Sequence, residues 1–208
     1  MAMGSSLGRL SSLAEAQRGM VTTAQAEQLG VPRRDLSRLV TAGALERIDY
    51  GVYRIAGSPR PRWEELRAAW LKLAPALSVD ERNAGHGVVS HQSATLVHQL
   101  GLLEPLTHEF TVPPSRRVRS RRTDVLIHRA GLSPDEMEWA DELLVTTPIR
   151  TVTDLCRIRL DGEHLSGVVA DALTRQLVDE AALLAVLGQH AEAYGFAAGG
   201  EFLTFLSG

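Results

Sequence analysis

Five polar residues carry the most informative spacing in this 208-residue chain: Arg33, Arg34, Ser37, Arg38 and Thr41. Leu36, Leu39 and Val40 recur among them at i, i+3 and i+4, so a helix through the segment turns its apolar stripe to a core and leaves the polar set outward. Arginine offers a rigid planar fork that matches phosphate oxygens or a guanine edge, and a helix N-terminus favours an anion. Paired arginines at the N-terminal end of such a helix suit a DNA major groove, where backbone positioning and base readout coincide. Downstream, Leu45–Ile48 and Val52–Ile55 read as two strands around a glycine-containing turn, placing Arg47, Tyr50, Tyr53 and Arg54 on a β-ribbon within reach of the sugar-phosphate backbone. A helical protein-interaction module with solvated arginines is the competing reading, and it predicts no salt-dependent DNA binding.

Other residue types point to less. Arg116, Arg117, Arg119, Arg121 and Arg122 place five arginines in seven residues between two strand-like runs, a candidate contact for DNA phosphates or for an acidic protein surface. Among seven histidines, His91 and His98 stand seven apart on one helix with no Cys or His at close spacing. Zinc needs about four convergent ligands, so no metal site is expected. Cys156 is the lone cysteine and reads as a small buried apolar residue. No phosphate-binding Gly-x-x-x-x-Gly-Lys-Ser/Thr loop, Gly-x-Gly-x-x-Gly turn or His-Arg-Asp segment occurs, so neither a cofactor nor a catalytic set is expected.

The elements that must position these residues can be read in order. Leu7, Leu10, Leu13 and Ala14 share one helical face before Gly19. Thr22 and Gln25 have the spacing of a capping box, which predicts a short helix over 23–29. Gly30 closes it, and Pro32 suits the first turn of the arginine-bearing helix. Alternation fails across Asp49–Gly51, which predicts a bulge or longer loop in the hairpin. Pro59 and Pro61 then form a linker, and Trp63, Leu66, Trp70 and Leu73 turn inward on a helix stopped by Pro75. Beyond it, a helix over 91–100 capped by Ser90 precedes strands near 109–112, 124–128 and 142–145. Helices near 149–158, 163–174, 179–190 and 200–206 complete the chain. The fold class is therefore α+β: a winged helix-turn-helix over residues 1–60, then a mixed α+β domain over 61–208 with a helical C-terminal end.

Charge is distributed unevenly. Residues 1–60 and 61–122 each carry a net +3, whereas 123–208 carry −9, which suits a chain whose first part faces an anion. Mean hydropathy near zero, the lone cysteine and the lack of a secretory leader or long apolar run lead us to expect a soluble cytoplasmic protein without a membrane role.

The run Gly43-Ala44-Leu45-Glu46-Arg47-Ile48-Asp49-Tyr50-Gly51-Val52-Tyr53-Arg54 resembles the end of the winged helix of AbiEi-family antitoxins. So do Val89-Ser90-His91-Gln92-Ser93-Ala94, Phe110-Thr111-Val112-Pro113 and Val145-Thr146-Thr147-Pro148-Ile149-Arg150-Thr151-Val152-Thr153-Asp154-Leu155, in the family's order. The resemblance covers most of residues 7–160. It implies an antitoxin of a bacterial type IV toxin–antitoxin system that represses its own operon by binding promoter DNA through the winged helix. It also implies a C-terminal domain that counters a nucleotidyltransferase-type toxin, for which the five-arginine run would be a candidate contact. A dimer on DNA is expected, because one small module seldom gives enough affinity. An alternative is an antitoxin that inactivates its toxin by phosphorylating it, although no kinase motif is present. A second is an adaptor that binds proteins and not DNA.

Overall fold

The computed structural model describes residues 2–118 and 122–207. It is an α+β protein of two compact units, Met1–Gly87 and Val88–Gly208. The first unit opens with α1 (Ala2–Glu15), β1 (Met20–Thr22), α2 (Thr23–Gln28) and α3 (Arg33–Thr41). The hairpin β2 (Leu45–Asp49) and β3 (Val52–Ile55) follows, then α4 (Glu64–Leu73).

Local signals set these boundaries. Thr22 accepts from the Gln25 backbone while the Gln25 side chain reaches back to Thr22 N–H, a complete capping box that starts α2. Gly30 and Gly43 take positive φ after α2 and α3, where a β-carbon would be strained. Leu10, Ala14, Val21, Ala26, Val31, Leu36, Leu39 and Leu45 are buried together beneath the three helices and the sheet. Each such leucine contributes about 2 kcal/mol by leaving water. The sheet runs in the order β1-β3-β2, fully antiparallel. The register shifts between Arg47 and Asp49, so the irregularity expected in the hairpin is present. Strand β1 was not foreseen: three residues pair with β3 across a long stretch of sequence.

The linker prolines suggested a division at residue 60, yet the first compact unit extends to Gly87. Helix α4 and the chain after it are tied to the winged helix by several bonds. Lys72 Nζ lies 2.8 Å from Asp49 Oδ2, and Gln25 Nε2 donates to the Leu77 carbonyl at 2.7 Å. Thr22 Oγ1 donates to the Pro75 carbonyl, and Glu64 lies beside Arg54. The C-terminal end of α4 is closed by a buried arginine. Arg82 donates to the carbonyls of Trp70, Leu71 and Ala74 at 2.9, 2.8 and 2.8 Å, while its guanidinium sits over the Trp70 ring.

The second unit holds a five-stranded mixed sheet in the order β6-β5-β4-β8-β7. Its strands are β4 (Val88–Val89), β5 (His108–Val112), β6 (Val125–Arg129), β7 (Met137–Ala140) and β8 (Leu143–Thr146). Helices α5 (His91–His98) and α6 (Pro148–Arg157) follow β4 and β8, which pair in parallel. Then α7 (Gly162–Thr174), α8 (Glu180–His190) and α9 (Gly199–Ser207) close around a core that includes Leu155, Leu165, Val168, Leu183, Leu187 and Phe202. The helical C-terminal end is thus as expected. Ser90 precedes α5 as expected but makes no side-chain cap bond, because its hydroxyl is engaged by Thr111 and His91 instead. Cys156 is buried, and burial pushes its thiol up to about 12. Among the described residues no helix is long and apolar enough to cross a membrane.

Candidate nucleic-acid interface

Helix α3 buries Leu36 and Leu39 and turns its other face to solvent. The side chains of Arg33, Arg34 and Arg38 are 72%, 78% and 68% exposed, and Ser37 and Thr41 are exposed beside them. The arginines have local partners: Arg33 Nε lies 2.9 Å from Glu27, while Arg34 and Arg38 lie 3.8 and 3.4 Å from Asp35. Exposed pairs of this kind contribute about 0–1 kcal/mol, little enough for a phosphate to displace them. Ser37 and Thr41 donate to the carbonyls of Arg33 and Ser37, one turn earlier.

The wing stands beside this face. Tyr50, at the turn between β2 and β3, is 72% exposed, and the Arg47 guanidinium lies 5.4 Å from its ring centroid. An open cleft of about 400 Å³ is lined by Arg33 and Ser37 of α3, Arg47 of β2, Tyr50 and Gly51 of the turn, Tyr53 of β3, Thr23 of α2 and Lys72 of α4. Five of the residues expected to meet DNA thus share one concave surface. Lys72 joins them and was not foreseen. Its distance in sequence hid it, and only the packing of α4 against the wing brings it there.

Arg54 does not belong to this surface. It is buried, ion-paired with Glu46 and with Glu64, whose Oε1 lies 2.9 Å from Arg54 Nε, and it donates to the Ser58 carbonyl at 2.7 Å. The expectation that Arg54 reaches a phosphate is therefore corrected: it points inward and holds α4 to the hairpin. Tyr53 is half-buried and packs partly against the core of the unit.

The five-arginine run is only partly described. Arg119 and Arg121 lie outside the described residues. Arg117 is exposed, Arg116 is half-buried with its pKa lowered by burial, and Arg122 is engaged by Asp124, Nε to Oδ1 at 2.7 Å. That pairing, through the hydrogen bonds from Arg122, draws the Asp124 carboxyl down to about 2.

A second polar constellation, buried in the other unit, was invisible to sequence spacing. Glu109 and Thr111 lie on one face of β5, and the parallel register sets His128 of β6 opposite Thr111. His128 Nε2 lies 2.6 Å from Glu109 Oε2, and the rings of His91 and His128 stack with centroids 3.4 Å apart. Where no metal set was expected, His91, Glu109 and His128 offer ligand atoms within 4.8 Å of one another. His91 is pushed down to about 3 by burial first, then by His128, Arg150 and Arg157. Arg150 is itself buried, bonded to Asp154 at 2.8 Å and Glu136 at 2.6 Å.

Residues 9–56 match the family model described as a transcriptional regulator, the AbiEi antitoxin. The expected resemblance therefore holds over the winged helix, and it supports a DNA-binding regulator of antitoxin type. The chain is similar in fold to the crystal structure of the RV2827C protein from Mycobacterium tuberculosis. The TM-score is 0.57 at 16% identity, over 97% of this chain and 81% of the other. No curated protein matches the sequence.

Proposed function

We propose that this chain is a transcriptional regulator of the AbiEi antitoxin type that binds its own promoter through α3 and the wing. In this reading the unit after Gly87 opposes a nucleotidyltransferase-type toxin in the cytoplasm. The single observation that carries the DNA half is the cleft in which Arg33 and Ser37 of α3 face Arg47 and Tyr50 of the wing, with Lys72 beside them. A B-DNA major groove, about 12 Å wide, admits a helix of the α3 kind. Arg34, Arg38 and Thr41 then face base edges or flanking phosphates, and Arg47, Tyr50 and Lys72 lie against the backbone. A single module of this size buries only about 600–1,000 Å² on DNA, so two copies on an inverted repeat supply operator affinity. The antitoxin role rests on the description of the family matched over residues 9–56, and the class of toxin and the part played by the second unit rest on the resemblance of the later sequence runs.

The test is a mobility shift with the DNA upstream of the gene, using wild type and the Arg33→Ala, Arg34→Ala, Arg38→Ala triple variant. Wild type should shift that DNA at lower concentration than a scrambled duplex, and the variant should not shift it while remaining folded by circular dichroism. A variant that binds as well as wild type contradicts the interface. Co-expression with the adjacent gene's product tests the toxin half separately: growth should be rescued by the triple variant as well as by wild type.

A further inference from the structure

We propose that the loop carrying Leu102 and Leu106 is the surface through which two copies of this chain pair. The inference rests on the reading of two copies on an inverted repeat, and it names where they meet. Leu102 and Leu106 are 96% and 95% exposed, four residues apart between α5 and β5. One exposed leucine needs no explanation, whereas a pair set out together by a loop that is itself held in place marks a contact surface.

The loop is anchored along its length. Leu100 and Leu103 are buried in the helical core with Leu165 and Val168, so the leucines on either side of Leu102 point inward. Gly101 N–H donates to Asp171 Oδ2 at 2.7 Å. Gly101 also takes φ +65°, and a β-carbon there would press on Leu103 and Val168 at 3.0 Å. At the far end Ser93 Oγ donates to the Thr107 carbonyl at 3.4 Å. A backbone fixed in this way loses little freedom on association, which removes much of the cost of ordering a loop.

Charge beside the leucines selects the occupant. Glu104 is exposed between them. Arg175, exposed at the end of α7, donates through Nη1 to the carbonyls of His98 and Gln99 at 2.7 and 2.8 Å, which sets its guanidinium at the start of the loop. A guanidinium has five N–H donors, so the edge formed by Nε and Nη2 remains for a carboxylate. A two-fold contact applies one patch to itself, and that patch must therefore hold apolar area together with both signs of charge. The loop meets this condition: the leucines of two protomers pack together while Glu104 of one faces Arg175 of the partner subunit. A partner with a basic surface would instead be matched by acid alone around the leucines. All of these residues belong to the second unit, and the DNA surface belongs to the first.

The test begins with sedimentation velocity of the full chain over a concentration series, in which wild type should show a monomer–dimer equilibrium. Leu102→Ser combined with Leu106→Ser, at exposed positions that should leave the fold intact by circular dichroism, should weaken that equilibrium by roughly 100-fold. Glu104→Arg, which sets two cations against each other, should weaken it by roughly tenfold at low salt and by less at high salt. In fluorescence anisotropy the double-serine variant should bind a single half-site cut from the upstream DNA as wild type does, and should lose cooperative binding to the inverted repeat. A wild type that stays monomeric and fills the two half-sites independently, or a double-serine variant that pairs as well as wild type, overturns the assignment. So does a double-serine variant that still pairs but loses its complex with the adjacent gene's product, which would give the loop to that partner. Absence of half-site binding by both proteins would count against the DNA reading alone, and the sedimentation result would still decide the pairing surface.

Discussion

The guanidinium of Arg47 lies over the ring of Tyr50, 5.4 Å from its centroid. The pairing joins strand β2 to the exposed turn and presents a cation and an aromatic plane together at the rim of the cleft opposite α3. A cation–π interaction at an exposed site contributes about 0.5–1 kcal/mol, enough to bias the wing toward one conformation before DNA arrives.

Tyr50→Ala should therefore weaken DNA binding by on the order of fivefold with little change in thermal stability, since the ring is solvent-exposed and the free energy involved is about 1 kcal/mol. Fluorescence anisotropy with labelled promoter DNA reads the first effect and a melting curve the second. A loss of stability with unchanged affinity would place Tyr50 among the structural residues.

Arg54→Ala should behave in the opposite way. Its charge is buried between Glu46 and Glu64, and removing it leaves Glu64, only 10% exposed at its side chain, without its buried partner. Breaking a buried pair costs about 3 kcal/mol. Urea denaturation should show that loss, and whatever fraction stays folded should bind DNA as wild type does.

His98 supplies a pH dependence. Burial lowers its pKa from the ordinary 6.5, and its neutral Nε2–H donates to the Thr146 carbonyl at 2.7 Å. Between the folded and unfolded pKa values the unfolded chain binds more protons, so stability rises with pH there. The contribution is fully present above pH 6.5 and is lost as pH falls from there toward the folded value. The urea midpoint should drop between about pH 7.5 and 5.5, and His98→Gln should flatten part of that slope. An equal slope in the variant would assign the effect to other groups.

What the sequence disclosed was local. The capping box at Thr22 and Gln25, the outward arginines of α3 and the broken alternation near Asp49 all involve residues within one turn or one hairpin, where period and turn chemistry act directly. Arg54 left a signal that went unread. It shares the period-two face of Val52, which is fully buried, so its guanidinium had to be paired inside rather than offered outward. Lys72 and the His91–Glu109–His128 set left no such trace. Lys72 reaches the cleft through helix packing, and His128 meets Glu109 across 19 residues through the register of β5 and β6. Neither relationship has a sequence period. The division at Gly87 was hidden for the same reason, since bonds such as Gln25 to Leu77 bind α4 and its trailing loop into the first unit.

The most direct measurement of the central claim is the salt dependence of DNA affinity for wild type and for the Arg33, Arg34, Arg38 triple alanine variant. Log affinity should fall linearly with log salt for wild type, and the slope should shrink in the variant by about 0.9 for each phosphate that is no longer neutralised. Promoter DNA should also exceed random duplex in affinity at every salt concentration. A flat dependence, or equal slopes for the two proteins, would contradict a DNA interface on α3.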